Sequence, residues 1–161
     1  MDSIDSYRLL VWLHVVAVIV GLGVTFVYPF LQGFAERRGV QATRFALQFS
    51  QRLETIAVWP GAALVFLFGL GLIFNDYPGY KDDMPTWLNV AVLWFLVAVA
   101  VAVFVQRRNV IAGIKALEGV PDGPNLPAAY LAVSKRLQMV GGLLGLSVIG
   151  ITFLMVWKPG S

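Results

Sequence analysis

The one histidine of the sequence, His14, stands inside a long apolar run. An ionisable residue in such a run is costly to bury, and when present it faces other protein or does something. His14, Val18, Gly21, Thr25, Tyr28 and Gln32 recur at three- and four-residue intervals. On a helix they make one stripe, which holds most of the polar and small residues of the run. Imidazole is the common protein ligand of haem iron, and Gly21 and Gly23 would open the cleft a macrocycle needs. The sharp reading is therefore haem b with His14 as axial ligand, surrounded by Gly21, Thr25, Tyr28 and Asn89. The other reading needs no cofactor: a neutral histidine bonded between helices, with Asn89, Ser147 or Thr152 as partner. A bis-histidine haem is excluded within one chain, so a sixth ligand would be Met, Tyr, water or none.

Other chemistry has little to build on. The chain has no cysteine, which rules out a disulfide, an iron–sulfur cluster or a cysteine zinc site. No Ser–His–Asp set, glycine-rich phosphate loop or pair of intramembrane carboxylates is visible, and no metal site is expected. Glu54 follows Arg52 at a helix mouth. It reads as a solvated pair of little energetic weight, with a proton-relay role as the alternative. No catalytic residue is identified, and whether the chain is an enzyme stays open.

The elements that must position these residues are membrane spans. Residues 9–35, 55–75, 84–106 and 137–157 contain no Asp, Glu, Lys or Arg. A bilayer core of about 30 Å needs about 20 helical residues to cross it. The expected fold is all-α, a four-helix integral membrane bundle forming one domain over residues 1–161, with spans near 9–35, 55–75, 86–106 and 137–157. Composition agrees, at 58% hydrophobic and 13% charged. No length is left for a globular head. The net charge of +3 and pI near 9.5 do not indicate nucleic acid, because the basic residues flank the spans.

Their placement sets an orientation. Arg37, Arg38, Arg44, Arg52, Arg107, Arg108, Lys115, Lys135 and Arg136 flank the first and third connections. Only Arg8, Lys81 and Lys158 lie on the other side, among Asp2, Asp5, Asp76, Asp82 and Asp83. This places the first and third connections in the cytoplasm and both termini outward, in a bacterial inner membrane. The acidic start, Met1-Asp2-Ser3-Ile4-Asp5, is unlike a signal peptide, so the first span is expected to be retained. Residues 40–54 have helical spacing, with Arg44, Gln48 and Gln51 on one face and Phe45, Phe49 and Leu53 on the other. They are expected to extend the second helix near the headgroups. Pro121, Gly123, Pro124 and Pro127 break the chain before the last helix, and Asp76-Tyr77-Pro78-Gly79 forms an outer turn.

Gly141-x-x-x-Gly145 in the fourth span, with Gly61 and Gly69-x-Gly71 in the second, lets helices approach closely. Packing within the bundle is one use, and a homodimer through Gly141 and Gly145 the other. Trp59, Trp87 and Trp157 fall at interface depth, as an aromatic belt requires, while Trp12 and Trp94 fall deeper, where they would line a pocket.

Several of these residues carry a family resemblance. They are Leu13-His14-Val15-Val16-Ala17 with Gly21, Arg52-Leu53 leading into the Pro60-containing span that ends at Gly69-Leu70-Gly71, and Tyr130 with Lys135-Arg136 and the terminal Phe153-Leu154-Met155-Val156-Trp157-Lys158-Pro159. Together they resemble, over nearly the whole chain, the predicted integral membrane family numbered 2269 among domains of unknown function. That family is four-helical and bacterial. The first half is also similar to HemJ-type protoporphyrinogen oxidases and, more distantly, to CopD-like membrane domains. Leu13-His14 and Arg52-Leu53 with Pro60 match the HemJ-type pattern. Its Trp-Leu-His-x-Lys motif is replaced by Trp87-Leu88-Asn89-Val90-Ala91. The resemblance implies a tetrapyrrole-binding redox protein using His14. The alternative is a non-catalytic subunit or scaffold packed in lipid against a larger membrane complex.

Overall fold

The computed structural model describes residues 3–77 and 79–160. Asp2, counted above with the acidic residues, and Pro78 of the outer turn lie outside the described residues. Four helices account for nearly all of it: α1 (Ile4–Glu36), α2 (Val40–Phe74), α3 (Thr86–Ala116) and α4 (Ala128–Trp157). No strand occurs among the described residues.

These helices have 33, 35, 31 and 30 residues. At 1.5 Å per residue each is about 45 Å long or more, well beyond the bilayer core. The uncharged runs are therefore only part of each helix. Arg52, Arg107, Arg108, Lys135 and Arg136, which border the runs on the basic side, sit on helical continuations of the spans, so there charge marks the hydrocarbon boundary and not the helix end. The best-packed core lies in this basic layer, where Val40 and Leu47 of α2, Val110 of α3, and Tyr130 and Leu137 of α4 meet Leu117. The amphipathic start of α2 buries Val40, Thr43, Ala46 and Leu47. Phe45 and Phe49 stack on each other outside, the side a headgroup layer would meet.

Connections tie the layer together. Gly39, at φ 93°, turns the chain between α1 and α2, and Val40 N donates to Gly123 O at 2.9 Å. Arg44 Nη2 donates to the carbonyls of Leu117 (3.2 Å) and Val120 (2.7 Å), satisfying the C-terminal end of α3. At the opposite end Tyr7 meets Tyr77 edge-on, Tyr80 meets Trp87, and Lys158 lies over the Trp87 ring. The two ends of the chain thus share one end of the bundle with the 75–85 loop.

Within the membrane the helices pair as two hairpins, α1 with α2 and α3 with α4. The first pair is close because Gly21 and Gly61 face each other: a Cβ added at Gly21 would lie 2.5 Å from Gly61 Cα. On the second, Trp94 covers Gly150, whose added Cβ would lie 2.5 Å from Cη2. Three widened turns interrupt the ladders, at Val18–Leu22, Glu54–Val58 and Ala102–Gln106, and a tightened one lies at Gly23–Val27. Pro29 and Pro60 account for two of these irregularities, since each lacks an N–H and its ring crowds the carbonyl four residues before it.

Candidate functional site

Between the two hairpins runs a cleft of about 600 Å³. Its walls are aliphatic and aromatic along most of its length, and Phe66 of α2 stacks on Phe95 of α3 across it. Two helical hairpins joined chiefly at the basic layer leave such a space where no side chain is large enough to fill it.

The polar stripe of α1 faces this space. His14, Val18, Thr25, Tyr28 and Gln32 all line it, while Gly21 is buried against Gly61. His14 sits where Gly69 leaves room, for a Cβ there would lie 3.4 Å from Cε1 and 3.6 Å from Nδ1. The ring lies beside the Val65 backbone, and Nδ1 is closed off without a partner. Thr25 Oγ1 donates to Leu22 O of its own helix at 2.6 Å.

The partners expected for His14 are all engaged elsewhere. Asn89 Nδ2 donates to Met84 O (3.1 Å) and Pro85 O (3.4 Å), closing the turn that starts α3. Ser147 and Thr152 donate to carbonyls four residues back in α4. Gly21 serves helix contact, with no space around it for a macrocycle. Gly141 and Gly145 line the cleft, where added Cβ atoms would meet Gln106 Nε2 at 3.4 Å and Phe26 at 3.8 Å. This face of α4 is turned into the bundle.

The tryptophans exchange the roles expected of them. Trp59 and Trp87 line the cleft, Trp87 at 5% exposure, whereas Trp12 is exposed and Trp94 packs on Gly150. Depth along a helix does not report which side of it a ring leaves from. Trp157 is exposed and stacks on Phe153, as a belt residue would.

A second group of polar residues closes the basic end, and the sequence stripe stops one step short of it. Glu36 follows Gln32 by four residues on the same face. Its Oε1 accepts from Ser134 (2.6 Å), Tyr130 (2.8 Å) and Gln32 (3.0 Å), and its Oε2 from Gln138 (3.4 Å). Glu54 is no solvated partner of Arg52. It lines the cleft and a small cavity beside it, facing Tyr28 and under the charge of Arg107. No group of three or more His, Cys, Asp or Glu that could hold a metal ion occurs among the described residues.

A protein family described as predicted integral membrane protein, domain of unknown function 2269, matches residues 8–159 of the chain. No curated protein and no solved structure matches.

Proposed function

We propose that this chain, which belongs to that family of predicted integral membrane proteins, binds a tetrapyrrole in the cleft between its hairpins. Haem b held by His14 is the form to test first. The carrying observation is an apolar cleft of about 600 Å³ with the one histidine on its wall. That volume falls within the roughly 300–1,000 Å³ of ligand pockets. The residues fit the group in two respects. His14 lies on the cleft wall with Nδ1 shut against α2 beside Gly69, which leaves Nε2 as the nitrogen that would hold the iron. Met155, on α4, gives the cleft one thioether.

When bound, haem supplies one-electron chemistry. The chain's own residues surround it with hydrocarbon, hold the imidazole against α2 and keep bulk water out. We further propose that the basic layer is cytoplasmic and the membrane a bacterial inner membrane, which the distribution of Lys and Arg supports. Protein purified from haem-replete cells should show a Soret band that His14→Ala removes or shifts. Colourless wild-type protein that also fails to take up added haem would refute the reading. A non-catalytic subunit is the second reading, favoured by Phe30, Phe34, Phe45 and Phe49, exposed at the basic-end halves of α1 and α2. A stoichiometric membrane partner copurifying with colourless protein would select it.

A further inference from the structure

We propose that Glu54 is a proton-exchange site at the basic end of the cleft, served by a water held between α1, α2 and α3. The inference is independent of what the cleft binds.

Beside Glu54 lies a cavity of about 30 Å³. A buried water needs about 10–15 Å³ of water-sized space and two to four polar partners. The walls supply them. Tyr28 Oη and Gln106 Oε1 are closed to solvent and have no partner in the protein, and both residues line the cavity with Ser50 and Glu54. A hydroxyl and an amide oxygen left unpaired in a dry interior are unfavourable. A water bonded to both, and to Glu54, satisfies each of them.

The backbone brings these groups together. Glu54 opens one widened turn and Gln106 closes another, and such turns gather at functional sites. The two carboxylates at this end are not equivalent. Glu36 accepts hydrogen bonds from Gln32, Tyr130, Ser134 and Gln138. Glu54 has no hydrogen bond or ion pair among the described residues. A carboxyl with no fixed donor from the protein is open to a neighbouring water, with which it can exchange a proton. The groups facing it are Tyr28 from α1, Arg107 and the neutral Gln106 from α3 and Leu137 from α4, with Arg52 exposed on its own helix. In the exchange, a hydronium in the cavity gives its proton to the carboxylate, leaving water and a neutral carboxyl. The reverse step returns the proton to solvent.

Infrared difference spectra of the full chain in lipid nanodiscs, stepped in pH, test this directly. A carbonyl band of a buried protonated carboxyl should grow on acidification, vanish in Glu54→Gln and shift in Tyr28→Phe. Should Glu54→Gln not fold, Glu54→Asp should move the band. The proposal is overturned if wild type has no such band at any pH, if the band survives in Glu54→Gln, or if it is unmoved in Glu54→Asp.

Discussion

Replacing Gly21 by Ala puts one methyl where the backbones of α1 and α2 cross. The new Cβ would lie 2.5 Å from Gly61 Cα and 3.1 Å from Gly61 C, both backbone atoms that cannot swing aside. Carbon atoms in contact settle at about 3.5–4.0 Å, so the helices must part by about 1 Å. The displacement reaches the rest of the hairpin, including the close fits of His14 on Gly69 and Leu10 on Gly71. Overpacking of this kind costs about 1–3 kcal/mol. In a chain of this length that lowers Tm by roughly 2–12 °C. Gly23→Ala is the matched control: it lies two residues away on the same helix, and its added Cβ meets nothing within 4 Å. Both changes alter helix propensity alike, so their difference isolates the crossing. Tryptophan-fluorescence melting in one detergent, for wild type and both variants, measures it. If Gly21→Ala melts with Gly23→Ala, the hairpin does not cross at Gly21 and Gly61.

Gly150→Ala should likewise lower Tm by a few degrees, because its Cβ meets the Trp94 ring, and Trp94→Leu should restore most of the loss in the double variant. Tyr130→Phe removes a buried hydroxyl that donates to Glu36 and should cost about 1.5–3 kcal/mol by chemical denaturation. Arg44→Ala, which strips the bonds to the Leu117 and Val120 carbonyls, should destabilise more than Asp122→Ala, which removes only the surface ion pair. On the outer loop the hydrogen bond and charge of Lys81 hold the Asp76 carboxyl below its usual range, and Asp76 holds the Lys81 ammonium above its own. Any stabilisation from Asp76 is present above the ordinary carboxylate range and lost as pH falls through its lowered value. That from Lys81 is lost as pH rises through its raised value. Both groups lie on the exposed outer loop, where solvent screens the pair, so Asp76→Asn should leave the pH dependence of Tm unchanged within error.

The four helices were legible because crossing a bilayer demands a charge-free run, and four such runs stand in the sequence. The extension of the second helix over residues 40–54 was legible from its own amphipathic spacing, but those of the third and fourth were not, because a helix does not stop where charge begins: Arg107 and Lys135 ride on helical extensions. The stripe of α1 pointed inward as its spacing requires. It was cut at Gln32 because Ala35 ended the uncharged run, and so Glu36, the next residue on that face, was missed. The pairing of Gly21 with Gly61 depends on the register of two helices, which composition does not carry. Asn89 was matched to His14 by depth alone, whereas a side chain just after Pro85 is drawn to the open carbonyls of the turn. Glu54 beside Arg52 looked like a surface pair, but neighbours in a helical sequence leave in different directions.

The central claim is a tetrapyrrole cleft walled by both hairpins with His14 as its polar contact. The most direct measurement titrates haem b into the full chain in nanodiscs, for wild type, His14→Ala and Ala98→Trp, the last placing an indole from α3 into the cleft that Ala98 lines. The account predicts a saturable Soret band in wild type. His14→Ala should shift or weaken it, and Ala98→Trp should bind at least tenfold less (a factor worth about 1.4 kcal/mol) while melting as wild type does. Identical titrations for all three proteins, or no saturable band in wild type, would contradict it.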